Sequence, residues 1–563
     1  MDIIVIGLQP VSRERSSGFR AFVRENQAAL WKIGYFSVAA LLFVVAAWNR
    51  FSLPQTPFAV PDAYLWPAVT KLSGAPFAHM QGLNFLYPGM VYLILRTWGD
   101  FRAISVIQHL FGLTAGALFL ASWSRLAEFF SRPLLNRVTH QAMGLLSAGI
   151  YLLSTAPVLF EMTIRSDAVC MFFEILIFWL IIQFFYHRII LANSQKTVIF
   201  GIGAVVGAFL LASLKPSFTL TALFVVAPVI WFIVTIKGDV RAKLAFFGVA
   251  VLVVIVLTFT ERHLRRNDQA VKTFLPETLF AIHAKIIHAQ MAADLQKGKT
   301  GVYSYQWLRV ACDDLGREIQ RKHDLGFQPD YLRIGADSVL NRWRRELGDE
   351  KLLRFLNYWY WHSVANRPLS FVEKIVGQFR IFYSTNCPAF GAPSKWPLSS
   401  WSYAKSLSAL SQPQRLQVLS KIPAGLDFLK NTQMLRLRNI VVRQNKVVQI
   451  CHVCLARTYL PILLVSVPFA GWFVLKRRAS GESKLPPFFV AFFYSANFGN
   501  VFGISVVHSM EVPRYSTVLF IAALFAQLWA IRWLMEIALM KLQKIKSQNV
   551  HIVPESKPEN YRQ

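Results

Sequence analysis

The sequence predicts an all-α polytopic membrane protein, and three observations carry that prediction. Runs of about 20 apolar residues recur along the chain, each long enough to cross the hydrocarbon core of a bilayer. Only 16% of the residues are charged, against roughly 25% in soluble domains, while 54% are hydrophobic. Basic residues also gather in alternate short loops, as they do on the cytoplasmic side of membrane proteins.

Taken in order, the elements begin with a tail over 1–30 that carries Arg13, Arg15, Arg20 and Arg24. Its opening "MDIIVIGLQP" is too short an apolar run for a cleavable leader and has no basic region before it, so the first span is expected to stay as an anchor. Ten spans are predicted near 31–49, 102–123, 141–159, 168–186, 198–214, 217–236, 244–260, 457–475, 487–507 and 515–539. They group as an N-terminal bundle over 31–260 and a C-terminal set over 457–540, ahead of a second tail at 541–563. With the N-terminus inside, the short loops bearing Arg125, Arg137, Arg188, Lys196, Lys237, Arg241, Lys476 and Arg477 all fall on the cytoplasmic side.

Two long segments are left outside, 50–101 and 261–456. In the first, "NFLYPGMVYLILRTWG" is too short to span and reads as an amphipathic helix at the interface. In the second, "ETLFAIHAKIIHAQMAADLQKG" and the stretch from "DEKLLRFLNYWYWHSVANRPLSF" onward repeat apolar positions at helical spacing, which predicts a small helical domain.

The net charge of +30, from 60 Lys and Arg against 30 Asp and Glu, suits anionic lipids or phosphate-bearing substrates. Nucleic acid is not expected as a partner. The five cysteines form no disulfide framework, and "CHVC" at 451–454 reads as ordinary apolar cysteines beside a span. His79, His283, His288 and His508 are scattered, and no metal cluster is evident.

The assigned orientation collects unusual charges on one side: Asp62, Glu161, Arg165, Asp167, Lys215, Glu511 and Arg514 all stand at the outer ends of spans. Ionisable groups near membrane depth tend to be paired or functional. Each has a plainer alternative. Asp62 could sit in the first turn of "DAYLWPAVTKLSG", closed by Gly74, and Asp167 could do the same for the fourth span with Arg165 as partner. Lys215 and Arg514 could reach out to lipid headgroups, with Pro216 and Pro513 marking helix starts. Together, though, acids and bases on one face describe a place where a cationic pair holds a phosphate and a carboxylate takes a proton.

The order "PDAYLWPAVTKLSG", "NFLYPGMVYLILRTWGDFRAISVIQHLFGLTAGALF", "TAPVLFEMTIRSDAVCMFFEIL", "GAVVGAFLLASLKPSFTL" and "HSMEVPRYSTVLFIAALF" resembles the GT-C membrane glycosyltransferases. The likeness is to the bacterial branch related to protein O-mannosyltransferases and lipid A aminoarabinose transferases, and it covers about residues 31–540. It implies inverting transfer of a sugar from a polyprenyl-phosphate donor to a glycolipid, lipopolysaccharide or protein acceptor at the outer face of a bacterial inner membrane. The acid of the family's first outer loop, catalytic base or its helper, corresponds to Asp62, and a second acid corresponds to Asp167, with Glu161, Arg165 and Tyr87 as further candidates. The basic residue before proline is Lys215, and the late element is matched by Glu511, Arg514 and Tyr515, on the donor phosphate or sugar.

Two departures stand out. Many relatives carry two adjacent acids where Asp62 is followed by Ala63, and Lys215 replaces a commoner Arg, keeping charge but losing bidentate geometry. Some members use a divalent metal, Mg or Mn, and others none. The rival class is a lipid-linked oligosaccharide flippase, or a silent glycolipid-binding relative. Transporters more often show repeated halves and midplane sites, neither of which this sequence displays.

Overall fold

In a computed structural model the described residues are 27–60, 64–77, 84–131, 133–235, 240–265, 270–320, 329–333, 337–391, 393–475, 484–510 and 513–550. The fold is all-α and polytopic, with nine helices long and apolar enough to cross a membrane among those residues. They are Ala29–Phe51, Arg102–Phe129, Asp167–Ile190, Ser194–Leu214, Pro216–Thr235, Lys243–Leu264, Lys446–Leu475, Leu485–Val507 and Phe520–Ile545. A bent pair, Arg137–Leu152 and Thr155–Glu161 at 50° to each other, supplies a tenth crossing if read as one span. Counting the pair as the third, each predicted span meets its helix within a few residues, except the eighth, which starts eleven residues earlier, at Lys446 against 457.

The bend in the third span leaves backbone groups that cannot pair within the helix, and in a bilayer those must find partners inside the protein. Leu152 O accepts from Arg50 Nη1 at 2.7 Å, and Thr155 N–H donates to Gln444 Oε1 at 2.8 Å. Distant segments thus brace the break from both sides.

Aromatic rings fill the middle of the bundle. Phe525 of the tenth span lies 4.7 Å from Phe119, 4.8 Å from Phe493 and 5.8 Å from Phe178. That helix is the axis of the fold: 83% of its most apolar stretch is buried, against 6% for the seventh span. At its far end a polar clasp holds it. Arg532 pairs with Glu536 at 2.6 Å and donates to His140 Nδ1 at 3.3 Å, while Glu536 accepts from the Leu134 and Leu135 backbone amides. Elsewhere small residues set the spacing: Gly499 of the ninth span lies against the Thr221 backbone and Gly503 against the Ser217 carbonyl, so two helix backbones nearly touch.

The opposite end of the bundle, called here the domain face, carries the long segment. Ala270–Ile282, Ala284–Gln296, Tyr305–Gln320 and Val339–Asn366 enclose a separate core around Phe280, Trp343, Phe355 and Trp359, so the predicted helices form. Next, Pro368–Phe382 descends beside the ninth span, where Phe379 stacks on Phe498 at 5.5 Å. Later helices are joined by a small antiparallel pair, Lys395–Pro397 with Val441–Arg443, in the register Trp396↔Val442. They cover the first loop: Ala59 N–H donates to Ser406 Oγ at 2.9 Å, and Phe101 stacks on Phe428 at 4.4 Å.

The loop helix predicted from Asp62 onward spans only Trp66–Leu72, with Leu65 at its N-cap. Asp62, for which a place in the first turn was expected, lies outside the described residues. Gly74, at φ +91°, does take the left-handed conformation expected where the segment turns.

Candidate functional site

Three turns meet at the domain face. The first opens the fourth span, with Asp167 as its first residue. The second is the break between the fifth and sixth spans, where proline at 216 pushes Lys215 into an extended conformation, φ −151° and ψ 109°. That geometry turns the lysine out of the helix that ends at Leu214. Its ammonium reaches Asp167 Oδ1 at 2.7 Å, and both side chains are buried. A buried pair of this kind holds only because each charge compensates the other's lost water.

The third turn links the ninth and tenth spans. Pro513 opens the short helix Pro513–Thr517, which presents Arg514 and Tyr515 to the same place. The Tyr515 ring lies 5.0 Å from Lys215 Nζ and 4.7 Å from Arg514 Cζ, both within cation–π range. Its hydroxyl accepts from Arg514 Nη2 at 2.8 Å and lies 2.6 Å from His508 Nε2.

More positive charge arrives from the long segment. Lys374 donates to the Ser505 and His508 carbonyls at 2.6 and 2.8 Å, closing the C-terminus of the ninth span. Burial pushes the His508 imidazole well below its usual range, and the charges of Arg514, Arg333, Lys215 and Lys374 push it further down. Arg514 and Arg165 also lie close enough for their charges to act on Asp167. Five cations from five separate stretches therefore bear on one small region.

Tyr87 borders this region. Its hydroxyl donates to Gln108 Oε1 at 3.0 Å, and Gln108 Nε2 in turn donates to the Glu161 and Thr163 carbonyls at 2.8 and 3.2 Å. Burial holds the Tyr87 phenol protonated, raised well above its ordinary value, and the nearby Tyr64 and the Asp167 charge add to the effect. Tyr64, from the loop that carries Asp62, packs edge-on against Tyr87 at 5.5 Å.

The structure thus brings together Asp167, Lys215, Arg514, Tyr515 and Arg165, with Tyr87 beside them. Glu161 faces elsewhere: Arg50 grips its two oxygens at 2.8 and 2.9 Å and His109 Nδ1 is 2.8 Å from Oε2, all buried. It braces the bend of the third span rather than lining the cationic region. Asp62 and Glu511 lie outside the described residues. His508, Lys374 and Arg333 were not among the predicted site residues. His508 was one of several scattered histidines, and nothing local marks Lys374 apart from any other charge on an amphipathic helix.

This arrangement favours an anion with several oxygens, such as a phosphate. Among the described residues no three His, Cys, Asp or Glu side chains converge to hold a metal ion. Asp167, engaged by Lys215 and surrounded by further positive charge, does not fit Mg or Mn. The chain matches no family model, no curated protein and no solved structure.

Proposed function

We propose that this chain is an integral-membrane glycosyltransferase that moves a sugar from a polyprenyl-phosphate donor to an envelope glycolipid, lipopolysaccharide or protein hydroxyl. The proposed setting is the outer face of a bacterial inner membrane, with the long segment outside. The observation that supports this best is the gathering of Arg514 and Arg165 about the buried Asp167–Lys215 pair, with Lys374 and Arg333 acting alongside Lys215 and Arg514 on the adjoining His508, at the end of an apolar bundle that a lipid can approach sideways.

In this reading Lys215 and Arg514 hold the donor phosphate. Asp62 takes the proton of the acceptor hydroxyl, whose oxygen attacks the anomeric carbon. The bond from that carbon to the phosphate oxygen breaks, and polyprenyl phosphate leaves with the electron pair, its charge stabilised by the cations. Asp167 keeps Lys215 charged and aimed, and orients the acceptor or the sugar.

The test is sugar transfer by the purified chain in lipid nanodiscs, offered a panel of polyprenyl-phosphate sugars and followed by mass spectrometry. Wild type should transfer from at least one donor, while Asp62→Ala and Asp62→Asn should each lose transfer yet remain folded. Near-normal activity in both variants removes Asp62 from the reaction. Movement of the donor lipid across vesicles without covalent transfer replaces the enzyme reading with the flippase.

A further inference from the structure

We propose that the helix Pro423–Leu437 is an interfacial anchor, seated in the headgroup layer of the leaflet at the domain face, and that its partner there is anionic phospholipid. The proposal depends on the polytopic fold and holds whether or not the chain transfers sugar.

This helix has two apolar faces, and packing within the chain accounts for one of them. Phe428, Thr432 and Leu435 are buried on the inner face, where Phe428 stacks on Phe101 of the first loop at 4.4 Å. On the opposite face Leu426, Lys430, Met434 and Leu437 recur at helical spacing, and all four are exposed. Leu437 is 86% exposed. A second apolar stripe is costly in water and is buried when the helix lies in a bilayer interface.

Three ties set the helix at the height of the membrane surface. Phe101 immediately precedes Arg102, where the second span begins. Past the helix, the strand Val441–Arg443 ends just before Lys446, where the eighth span begins. Between them Gln444 accepts from the Thr155 amide at the bend of the third span. The eighth span has 30 residues. Its length of about 45 Å matches a bilayer with its headgroup layers rather than the hydrocarbon core alone. The first turns of that span therefore run among headgroups. Exposed apolar residues continue along the chain from Leu437 through Val441 to Val447 and Ile450, into the face that span turns to lipid.

Charge identifies the lipid. From 393 to 457 the chain carries ten Lys and Arg and a single acid, Asp427. Lys430, Arg436, Arg438, Arg443 and Lys446 are all exposed beside the apolar stripe, so their charged heads can reach phosphates while the stripe enters beneath. A second copy of the chain seated on this patch would set like charges against each other. An anionic lipid surface complements them.

The experiment places a nitroxide spin label on the full chain as Leu437→Cys, with Cys451→Ala and Cys454→Ala removing the cysteines that are not buried. Nanodiscs of phosphatidylcholine alone are compared with discs holding equal parts of phosphatidylglycerol. The readout is the ratio of collisions with oxygen, which concentrates in lipid, to collisions with a water-soluble nickel chelate. In the mixed discs this ratio should exceed, by at least about threefold, that of a label at Val302→Cys, an equally exposed apolar position in a loop of the helical domain. Each cation near an anionic surface favours the seated helix about fivefold, so Lys430→Gln/Arg436→Gln/Arg438→Gln together should cost about 100-fold and return the ratio in mixed discs to its lower value in phosphatidylcholine. A label at 437 as open to water as the one at 302, a ratio that is the same in both discs, or a ratio unmoved by the triple variant each overturns the assignment. Dipolar broadening between labels on two copies also overturns it, by making a second chain the occupant.

Discussion

Removing the Asp167 carboxylate strands a lysine. Lys215 is buried beside it, and a buried charge deprived of its partner typically costs 3–5 kcal/mol, about the loss expected for Asp167→Asn. Replacing both residues, as Asp167→Asn with Lys215→Met, should restore most of that stability while leaving phosphate binding lost. Thermal unfolding of the two purified variants distinguishes a pair kept for function from one kept for folding. Gly112 tests the neighbouring cluster. A Cβ there would overlap Glu161 Oε1, and the glutamate cannot swing aside because Arg50 and His109 hold it. Gly112→Ala should therefore lower the melting temperature by several degrees, by breaking the Arg50–Glu161 pair rather than by crowding alone. At this scale the sequence was half legible. Asp167 and Lys215 stood out as charges beside apolar runs, but 48 positions separate them and nothing local joins them. Nothing in the sequence marks Arg50, since only the folded chain places it on Glu161 and on the broken backbone at Leu152.

At the scale of elements, the Pro216 turn is held in place by the ninth span. Gly503 lies against the Ser217 carbonyl, one residue past that proline, and the turn in turn aims Lys215. Gly503→Ala pushes a methyl group into that carbonyl and should weaken polyprenyl-phosphate binding about tenfold, a cost on the order of 1.4 kcal/mol, with the bundle still folded. Gly248→Ala in the seventh span, where the added methyl meets nothing within 4 Å, should leave binding unchanged. Equal effects from the two alanines would show that the turn does not depend on this close approach. The helices themselves were legible because a long apolar run is a local property of sequence. The seating of the ninth span on the sixth, and the descent of Pro368–Phe382 beside the ninth span, rest on contacts between residues more than a hundred positions apart, such as Gly499 with Thr221 and Phe379 with Phe498.

Across the whole molecule, Lys374 sits where the helical domain meets the bundle. Its charge bears on His508 below and on His283 above. Burial first, and then Lys374, lower the His283 imidazole to about 4. Below pH 6.5 the unfolded chain takes up protons at these two histidines that the folded chain refuses, so stability falls as the pH falls. His283 alone should cost on the order of 3 kcal/mol by pH 4. The melting temperature should drop between pH 7.5 and pH 4.5, and His283→Gln should flatten that slope; an unchanged slope would place the sensitivity elsewhere.

The tenth span has a consequence for how the chain is made. It is the axis of the bundle, and its Arg532 and Glu536 meet His140 and the amides of Leu134 and Leu135 nearly four hundred positions earlier. A ribosome delivers that helix after the nine spans that precede it. The earlier spans must therefore wait in the membrane around a gap, with His140 Nδ1 and two amides still without the groups that will satisfy them. The bundle closes when a helix carrying two charges slides into a slot already lined for it, so a chain cut short before residue 520 lacks the centre of this bundle rather than its edge.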